Sequence, residues 1–320
     1  MSKHAKKIAC IGECMIEMSP AGPGLFKQGF AGDTFNTAVY FKRQFGAAFD
    51  VEYVTALGDD PLSQAMIDQF DREQISTDLV RIIPDKQPGL YVIENDAQGE
   101  RFFHYWRKQS AACSTFKGLT AYNIYKLFEP FDLIYLSGIS LAILDNQQRT
   151  NLLAALHRLK KTTTIAFDPN YRPALWPSKE VCAITFQAMA ENCSIVLSTF
   201  EDDQAIWNDP EPVHAINRWR DWGAEEVVIK NGAQGCTLLA NDILAEAPVP
   251  RAIAPVDTTG AGDSFCAGYC GARLLGNDYV QAAELGHNIA AQVIQHPGGV
   301  IHSDRWTAVS EPYGQVSNGA

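Results

Sequence analysis

The chain of 320 residues has no surplus of basic residues: 26 Lys+Arg stand against 37 Asp+Glu, a formal net charge of −11. Binding nucleic acid through its phosphates takes a general cationic surface, so no nucleic-acid partner is expected. Long apolar runs are lacking too. The stretch from Leu133 to Leu144 is broken by Ser137, Gly138 and Ser140. It falls short of the roughly 20 residues that cross a bilayer, and no membrane span is expected. Lys3, Lys6 and Lys7 precede an apolar stretch that soon meets Glu13, which leaves no core for a secretion signal and points to the cytoplasm. The eight cysteines form no Cys-x-x-Cys pair and have no histidine at zinc-finger spacing. They read as reduced, mostly buried small hydrophobes.

What is present is an ordinary globular composition, 46% hydrophobic and 20% charged, enough for a sizeable core. Short β-rich runs (Ile8 to Gly12, Val51 to Leu57, Leu133 to Ser137, Thr164 to Phe167, Ile195 to Leu197, Glu226 to Ile229) alternate with helical stretches. The helices are expected at Thr34 to Phe45, Pro61 to Glu73, Asn146 to Leu159, Lys179 to Ala190, Val213 to Trp222, Ala261 to Leu275 and Tyr279 to Gln295. This order predicts an α/β fold with a mainly parallel central sheet flanked by helices. Segments 13–32 and 89–107 break the alternation and read as a small β-flap within one domain over 1–310, followed by a polar tail at 311–320. On a strand, Arg101, Phe103, Tyr105 and Arg107 share one face, and Phe102, His104 and Trp106 the other. One face can close over a ligand and the other can pack on the core or on a second copy of the chain.

The most informative stretch is Asp257-Thr258-Thr259-Gly260-Ala261-Gly262-Asp263-Ser264-Phe265, just ahead of a helical run rich in Ala and Gly. Glycines let a loop turn tightly and bring bare N–H groups to a ligand, and a helix start adds its unsatisfied N–H groups and positive dipole end. Such a site suits a phosphoryl group. Asp263 would repel phosphate at rest, and makes chemical sense as a base that takes a proton from an attacking hydroxyl. On the physics alone it also reads as a helix cap.

These residues resemble the C-terminal signature of the ribokinase-like (PfkB) sugar kinases, and Ala31-Gly32-Asp33-Thr34-Phe35-Asn36-Thr37-Ala38 resembles their N-terminal sugar-binding signature. Further likeness runs through Ile11 to Glu17, Tyr53 to Gly58, Tyr105-Trp106-Arg107, Leu136 to Ser140 and Asp168-Pro169-Asn170-Tyr171-Arg172-Pro173. Within the family it resembles the branch that phosphorylates the sugar acid 2-keto-3-deoxygluconate. The resemblance implies direct transfer of the ATP γ-phosphoryl group to a sugar hydroxyl. Asp263 is then the general base, Gly260, Ala261 and Gly262 form the anion hole, and the β-flap is a lid.

The same resemblance assigns the sugar pocket to Gly32, Asp33, Asn36, Tyr91, Tyr105, Arg107 and Arg172. A planar guanidinium fork suits a substrate carboxylate. The nucleotide is expected near Asn170, Arg172, Lys230, Gly232, Gly235, Gly260 and Gly262. Physically, Lys230-Asn231-Gly232-Ala233-Gln234-Gly235 reads as a hairpin turn. Where many family members carry Asn-x-x-Glu, this chain has Thr199-Phe200-Glu201-Asp202. No direct metal ligand is therefore expected, and Mg2+ should be held mainly by phosphates and water. A monovalent cation near Asp257 is allowed by the resemblance. Another sugar kinase of the family, such as a fructokinase, and a non-catalytic sugar sensor on the same fold remain open. A dinucleotide-binding dehydrogenase is not, since Gly12-Glu13-Cys14-Met15 stands where Gly-x-Gly-x-x-Gly would follow the first strand.

Overall fold

Ile8, Ala9, Cys10 and Ile11 are apolar without a break, and in the folded chain all four are buried, as befits a parallel strand covered on both faces. The structure, a computed structural model, describes residues 4–95, 101–249 and 254–310. The expected tail at 311–320 lies outside the described residues, as does 96–100 within the second flap segment.

The chain opens with β1 (Lys6–Ile11), the hairpin β2 (Met15–Gly22) and β3 (Leu25–Ala31), and α1 (Asp33–Phe45). There follow β4 (Phe49–Val54), β5 (Ala56–Leu57), α2 (Pro61–Arg72), β6 (Arg81–Ile82) and the pair β7 (Gly89–Asn95) and β8 (Arg101–Trp106). The middle holds α3 (Ala121–Phe128), β9 (Leu133–Ser137), α4 (Gly138–Ala142), α5 (Asn146–Leu159), β10 (Thr164–Asp168), α6 (Lys179–Ala190) and β11 (Ile195–Thr199). Next come α7 (Phe200–Trp207), α8 (Pro212–Asp221), β12 (Glu226–Lys230), β13 (Cys236–Ala240) and β14 (Ile243–Ala247). Helices α9 (Ala261–Leu274) and α10 (Tyr279–Val293) complete the set.

The large sheet runs β14-β13-β12-β11-β10-β9-β1-β4; six strands are parallel and β13 and β14 antiparallel. Apolar clusters fill both faces, one under α1, α9 and α10, the other under α3 to α8. From β1 the chain steps one way to β4 and later the other way from β9 to β12. The strand order thus reverses beside β1, and ligands in open α/β sheets bind at the carboxyl ends of strands near such a switch. Glu13, Asp168, Asp202 and Lys230 all lie at or just past the carboxyl ends of β1, β10, β11 and β12.

The expected flap is a separate four-stranded sheet in the order β3-β2-β7-β8. Its two hairpins are antiparallel, but β2 and β7 join in parallel. Tyr91 and Tyr105 face each other across β7 and β8, with ring centroids 5.7 Å apart. Their face also carries Met15, Ala31 and Ile93, which form a small apolar cluster with Tyr91. The strand expected over Val51 to Leu57 is divided at Thr55, because β5 leaves the large sheet and pairs with β6.

Candidate active site

At the start of α9, Gly260 has φ 77°, and a Cβ there would sit 2.5 Å from the Gly299 carbonyl oxygen. Only glycine fits both constraints. The helix is held close to its neighbours by small residues: a Cβ on Gly268 would meet Gly286 Cα at 2.8 Å, and one on Gly271 would meet the Phe45 ring at 2.2 Å. No side chain caps this helix; the Ala261 amide donates to the Thr258 carbonyl at 3.2 Å, and no side-chain oxygen competes with a ligand for the other N–H groups of the first turn. Asp263 is the third residue of the helix and not its cap, and the capping reading falls away.

The Asp263 carboxylate is fixed from α1. Buried Asn36 donates from Nδ2 to Asp263 Oδ2 at 2.8 Å, and Thr37 Oγ1 donates to the Asp263 carbonyl at 3.2 Å. A Cβ on Gly299 would come 2.7 Å from Asn36 Nδ2, so the segment after α10 also restrains the amide. Burial pushes the Asp263 pKa up to about 7; the charge of Asp33 adds to this, the Asn36 hydrogen bond opposes it, Asp168 adds further and Lys230 opposes. The first turn of α1 contributes Asp33, whose Oδ2 accepts from Asn170 Nδ2 at 2.9 Å. Neither Asp33 nor Asn36 caps α1, which starts at Gly32 without a side-chain cap.

Gly32 has extended backbone, and the close approach it permits is to the Glu13 carbonyl, 2.2 Å from where its Cβ would stand. Asn170 lies at φ 35°, and its amide donates to Asp168 Oδ1 at 3.1 Å. Asp168 Oδ2 accepts from Lys230 Nζ at 2.8 Å and from Cys266 Sγ at 3.4 Å. Lys230 is therefore buried beneath the α9 start rather than displayed on the β12–β13 turn, and its Nζ lies 3.5 Å from where a Gly262 Cβ would be. The turn itself is the expected hairpin, with Gly232 at φ 53° and Gly235 at φ 92°.

On the small-sheet side, Arg107 and Glu13 form a buried ion pair, Nη2 to Oε2, at 2.5 Å. Ser110 Oγ donates to the other Glu13 oxygen at 2.5 Å. Burial raises the Glu13 pKa, against the lowering effect of the Arg107 charge. Arg107 Nε is buried with no hydrogen-bond partner among the described residues. The same holds for Glu13 Oε2, so the two charges attract without a well-aligned hydrogen bond between them. Arg107 and half-exposed Tyr105 line an open cleft of about 490 Å³ with Lys86 and Lys108.

Tyr91 is buried and donates its hydroxyl to Glu17. Burial raises the Tyr105 pKa, while the charges of Arg107 and Arg172 oppose the rise. Arg172 is exposed, and its Nη1 donates to the Tyr171 carbonyl at 2.9 Å.

Among the described residues no group of three or more His, Cys, Asp or Glu side chains forms a metal cage. Asp202, in the first turn of α7, accepts from the Tyr171 amide at 3.1 Å, and burial followed by the Asp168 charge pushes its pKa up to about 6. Asp257 accepts the Thr259 amide and hydroxyl on Oδ1 at 3.0 and 2.7 Å, and the Gly298 amide and Arg101 Nη1 on Oδ2 at 2.6 Å each. A guanidinium already pairs with the carboxylate near which the resemblance allows a monovalent cation. Glu13, Ser110, Asp168 and Arg101 were not singled out from the sequence, although Glu13 and Asp168 follow or end apolar strands, the one local signal available.

A glycine-led helix start with a buried carboxylate in its first turn, set beside the carboxyl ends of a parallel sheet, is an arrangement suited to phosphoryl transfer. Comparison with known proteins agrees: the chain belongs to the pfkB family of carbohydrate kinases, whose model matches residues 5–306. It is 43% identical over 302 residues to a 2-dehydro-3-deoxygluconokinase of Escherichia coli K12, covering 93% of this chain and 97% of the relative. A protein of the same name from Dickeya dadantii is 44% identical, over 92% and 97%. Among solved structures, the 2-dehydro-3-deoxygluconokinase of Thermotoga maritima superposes with TM-score 0.79 at 22% identity, covering 92% of this chain and 96% of that one. A fructokinase with bound ATP from Xylella fastidiosa gives TM-score 0.79 at 20% identity, over 92% and 93%. These two likenesses establish the ribokinase-like fold.

Proposed function

We propose that the protein transfers the γ-phosphoryl group of ATP to 2-keto-3-deoxygluconate, giving 2-keto-3-deoxy-6-phosphogluconate, in the cytoplasm. The observation that carries this reading is Arg107 in the wall of the cleft, a guanidinium held in place by buried Glu13. A carboxylate is the ligand group that best answers a fixed guanidinium. The reading is further supported by the 43–44% identity to proteins named for that substrate.

In this mechanism Asp263 accepts the proton of the attacking hydroxyl, with Asn36 holding the carboxylate in line. A base with pKa about 7 is largely ionised at slightly alkaline pH yet still binds a proton well. The backbone of Gly260, Ala261 and Gly262 receives the charge that develops on the transferred group, chiefly through the Gly260 and Gly262 N–H groups, since that of Ala261 donates to the Thr258 carbonyl. Lys230 adds a cation beneath the same loop. Asp33, with Asn170 on it, and Tyr105 offer hydrogen bonds to sugar hydroxyls, and Tyr91 holds the sheet face through Glu17. Arg172 reaches between sugar and nucleotide, while Gly232 and Gly235 shape the loop beside the nucleotide. Magnesium would be held mainly by ATP phosphates and water, with Asp202 reaching it only through water, and would supply charge neutralisation there.

The small sheet acts as the lid that excludes water. Its outer residues Phe102 and Trp106 are 52% and 62% exposed, and a second copy of the chain is the partner we assign to that face. Light scattering should then report a dimer mass. Substrate is tested by a coupled ADP-release assay across keto-acids and neutral hexoses. The reading requires kcat/KM for 2-keto-3-deoxygluconate to exceed that for fructose; the reverse order would replace it with a fructokinase.

A further inference from the structure

Arg101 stands at the first position of β8, on the sheet face shared with Phe103 and Tyr105. Its guanidinium leaves the small sheet altogether. Nη1 donates to Asp257 Oδ2 at 2.6 Å and to Thr259 Oγ1 at 3.1 Å, in the loop that leads into α9. Asp257 is 7% exposed at its side chain and Arg101 29%. The same carboxylate orders the loop internally, through the Thr259 amide and hydroxyl, and ties it to Gly298. Gly299, the next residue, packs on both Gly260 and Asn36. Asp257 thus joins the small sheet to the loop before α9 and to Gly298, whose neighbour Gly299 lies against Gly260 and Asn36.

We propose that Arg101 is a positioning residue: its ion pair with Asp257 latches the small sheet to the anion-binding loop, so that closing the sheet over the sugar and setting the loop for transfer are one event. Two features favour a latch over a surface ion pair. The hydrogen bonds are short and shared between two loop acceptors, and the acceptor side is nearly buried and pre-ordered by three donors of its own, so pairing costs side-chain entropy on one partner only. The proposal rests on the reading of residues 260–263 as the transfer site. It adds that the lid controls this site through Arg101.

The test compares Arg101→Met, Arg101→Lys, Asp257→Asn and the Arg101→Met/Asp257→Asn double variant, with Asp263→Asn as a reference. For each, kcat, both KM values, ADP release without sugar, and Tm are measured. A misplacement of reacting groups by about 1 Å can cost about 100-fold. Arg101→Met should therefore lower kcat by about 10- to 100-fold, with the KM for ATP changed less than about 3-fold and Tm within about 2 °C of wild type. Arg101→Lys should recover part of the loss. ADP release without sugar, relative to sugar phosphorylation, should rise because water is no longer shut out. In the double variant, Arg101→Met should add less than about 3-fold to the loss seen in Asp257→Asn, since the two residues act as one unit. Wild-type kcat in Arg101→Met, or full multiplication of the two losses in the double variant, would overturn the latch. An active Asp263→Asn would instead overturn the reading of the transfer site.

Discussion

Asn36 Nδ2 lies 2.8 Å from Asp263 Oδ2, so the helix that carries the sugar-binding signature also aims the carboxylate at the start of α9. The two signatures, 227 positions apart at these residues, meet through one hydrogen bond.

Asp263→Asn should lower kcat by about two to four powers of ten with little change in either KM, as the loss of a general base does. The same variant should be more stable than wild type. The folded pKa, about 7, lies above the unfolded value near 3.8, so the ionised carboxylate costs stability that builds up as pH rises between those values. Tm should rise by several degrees at pH 8 and by less at pH 5. An equal gain at both would remove the buried, raised carboxylate from the account.

Asn36→Ala should move the acid limb of the pH–kcat/KM profile upward. Wild type should lose activity as pH falls through about 7. The Asn36 hydrogen bond favours the charged form, and without it the proton is held more tightly. The expected displacement is about half a pH unit to one unit; a limb that stays in place would mean another group sets it.

Gly260→Ala and Gly262→Ala should part company. At Gly260 a methyl would meet the Gly299 carbonyl at 2.5 Å on backbone with φ 77°, so both Tm and kcat should fall. At Gly262 it would meet only Lys230 Nζ, at 3.5 Å, an ordinary contact. Alanine is the better helix former by about 1 kcal/mol, so Tm should hold or rise, and any fall in kcat reports on the anion site alone. Equal losses of Tm in thermal melts would show that the close approach at Gly260 does not constrain the loop.

Much of the fold was legible because the helices carry their own signals. For α5 and α6 the expected bounds, Asn146 to Leu159 and Lys179 to Ala190, match the structure, where Asp145 and Ser178 cap them. Helix α7 was passed over because Thr199 to Asp202 was read for metal chemistry; its three acidic residues instead suit the positive end of a helix. In the site, the Gly-rich turn and Asp263 could be read locally. The Glu13–Arg107 and Arg101–Asp257 pairs and the burial of Lys230 under Gly262 could not. They join residues far apart in the chain, and no period or spacing records which side chains the sheet ends bring together.

The Glu13 pair also changes how the central claim must be tested. Arg107→Ala alone would strand a buried carboxylate, which typically costs about 3–5 kcal/mol and confounds folding with binding. The Glu13→Gln/Arg107→Met variant removes both charges at nearly constant volume. The measurement is kcat/KM for 2-keto-3-deoxygluconate and for fructose in wild type, in this variant and in Arg172→Ala, each with a Tm. If Arg107 holds the substrate carboxylate, the preference for the acid should shrink by about one and a half to three and a half powers of ten in the double variant, corresponding to about 2–5 kcal/mol of lost charge pairing. Arg172→Ala should weaken both sugars alike. Equal losses for acid and fructose in the Glu13→Gln/Arg107→Met variant, at unchanged Tm, would contradict the assignment of Arg107 to the carboxylate and with it the claim that this site is built for a sugar acid.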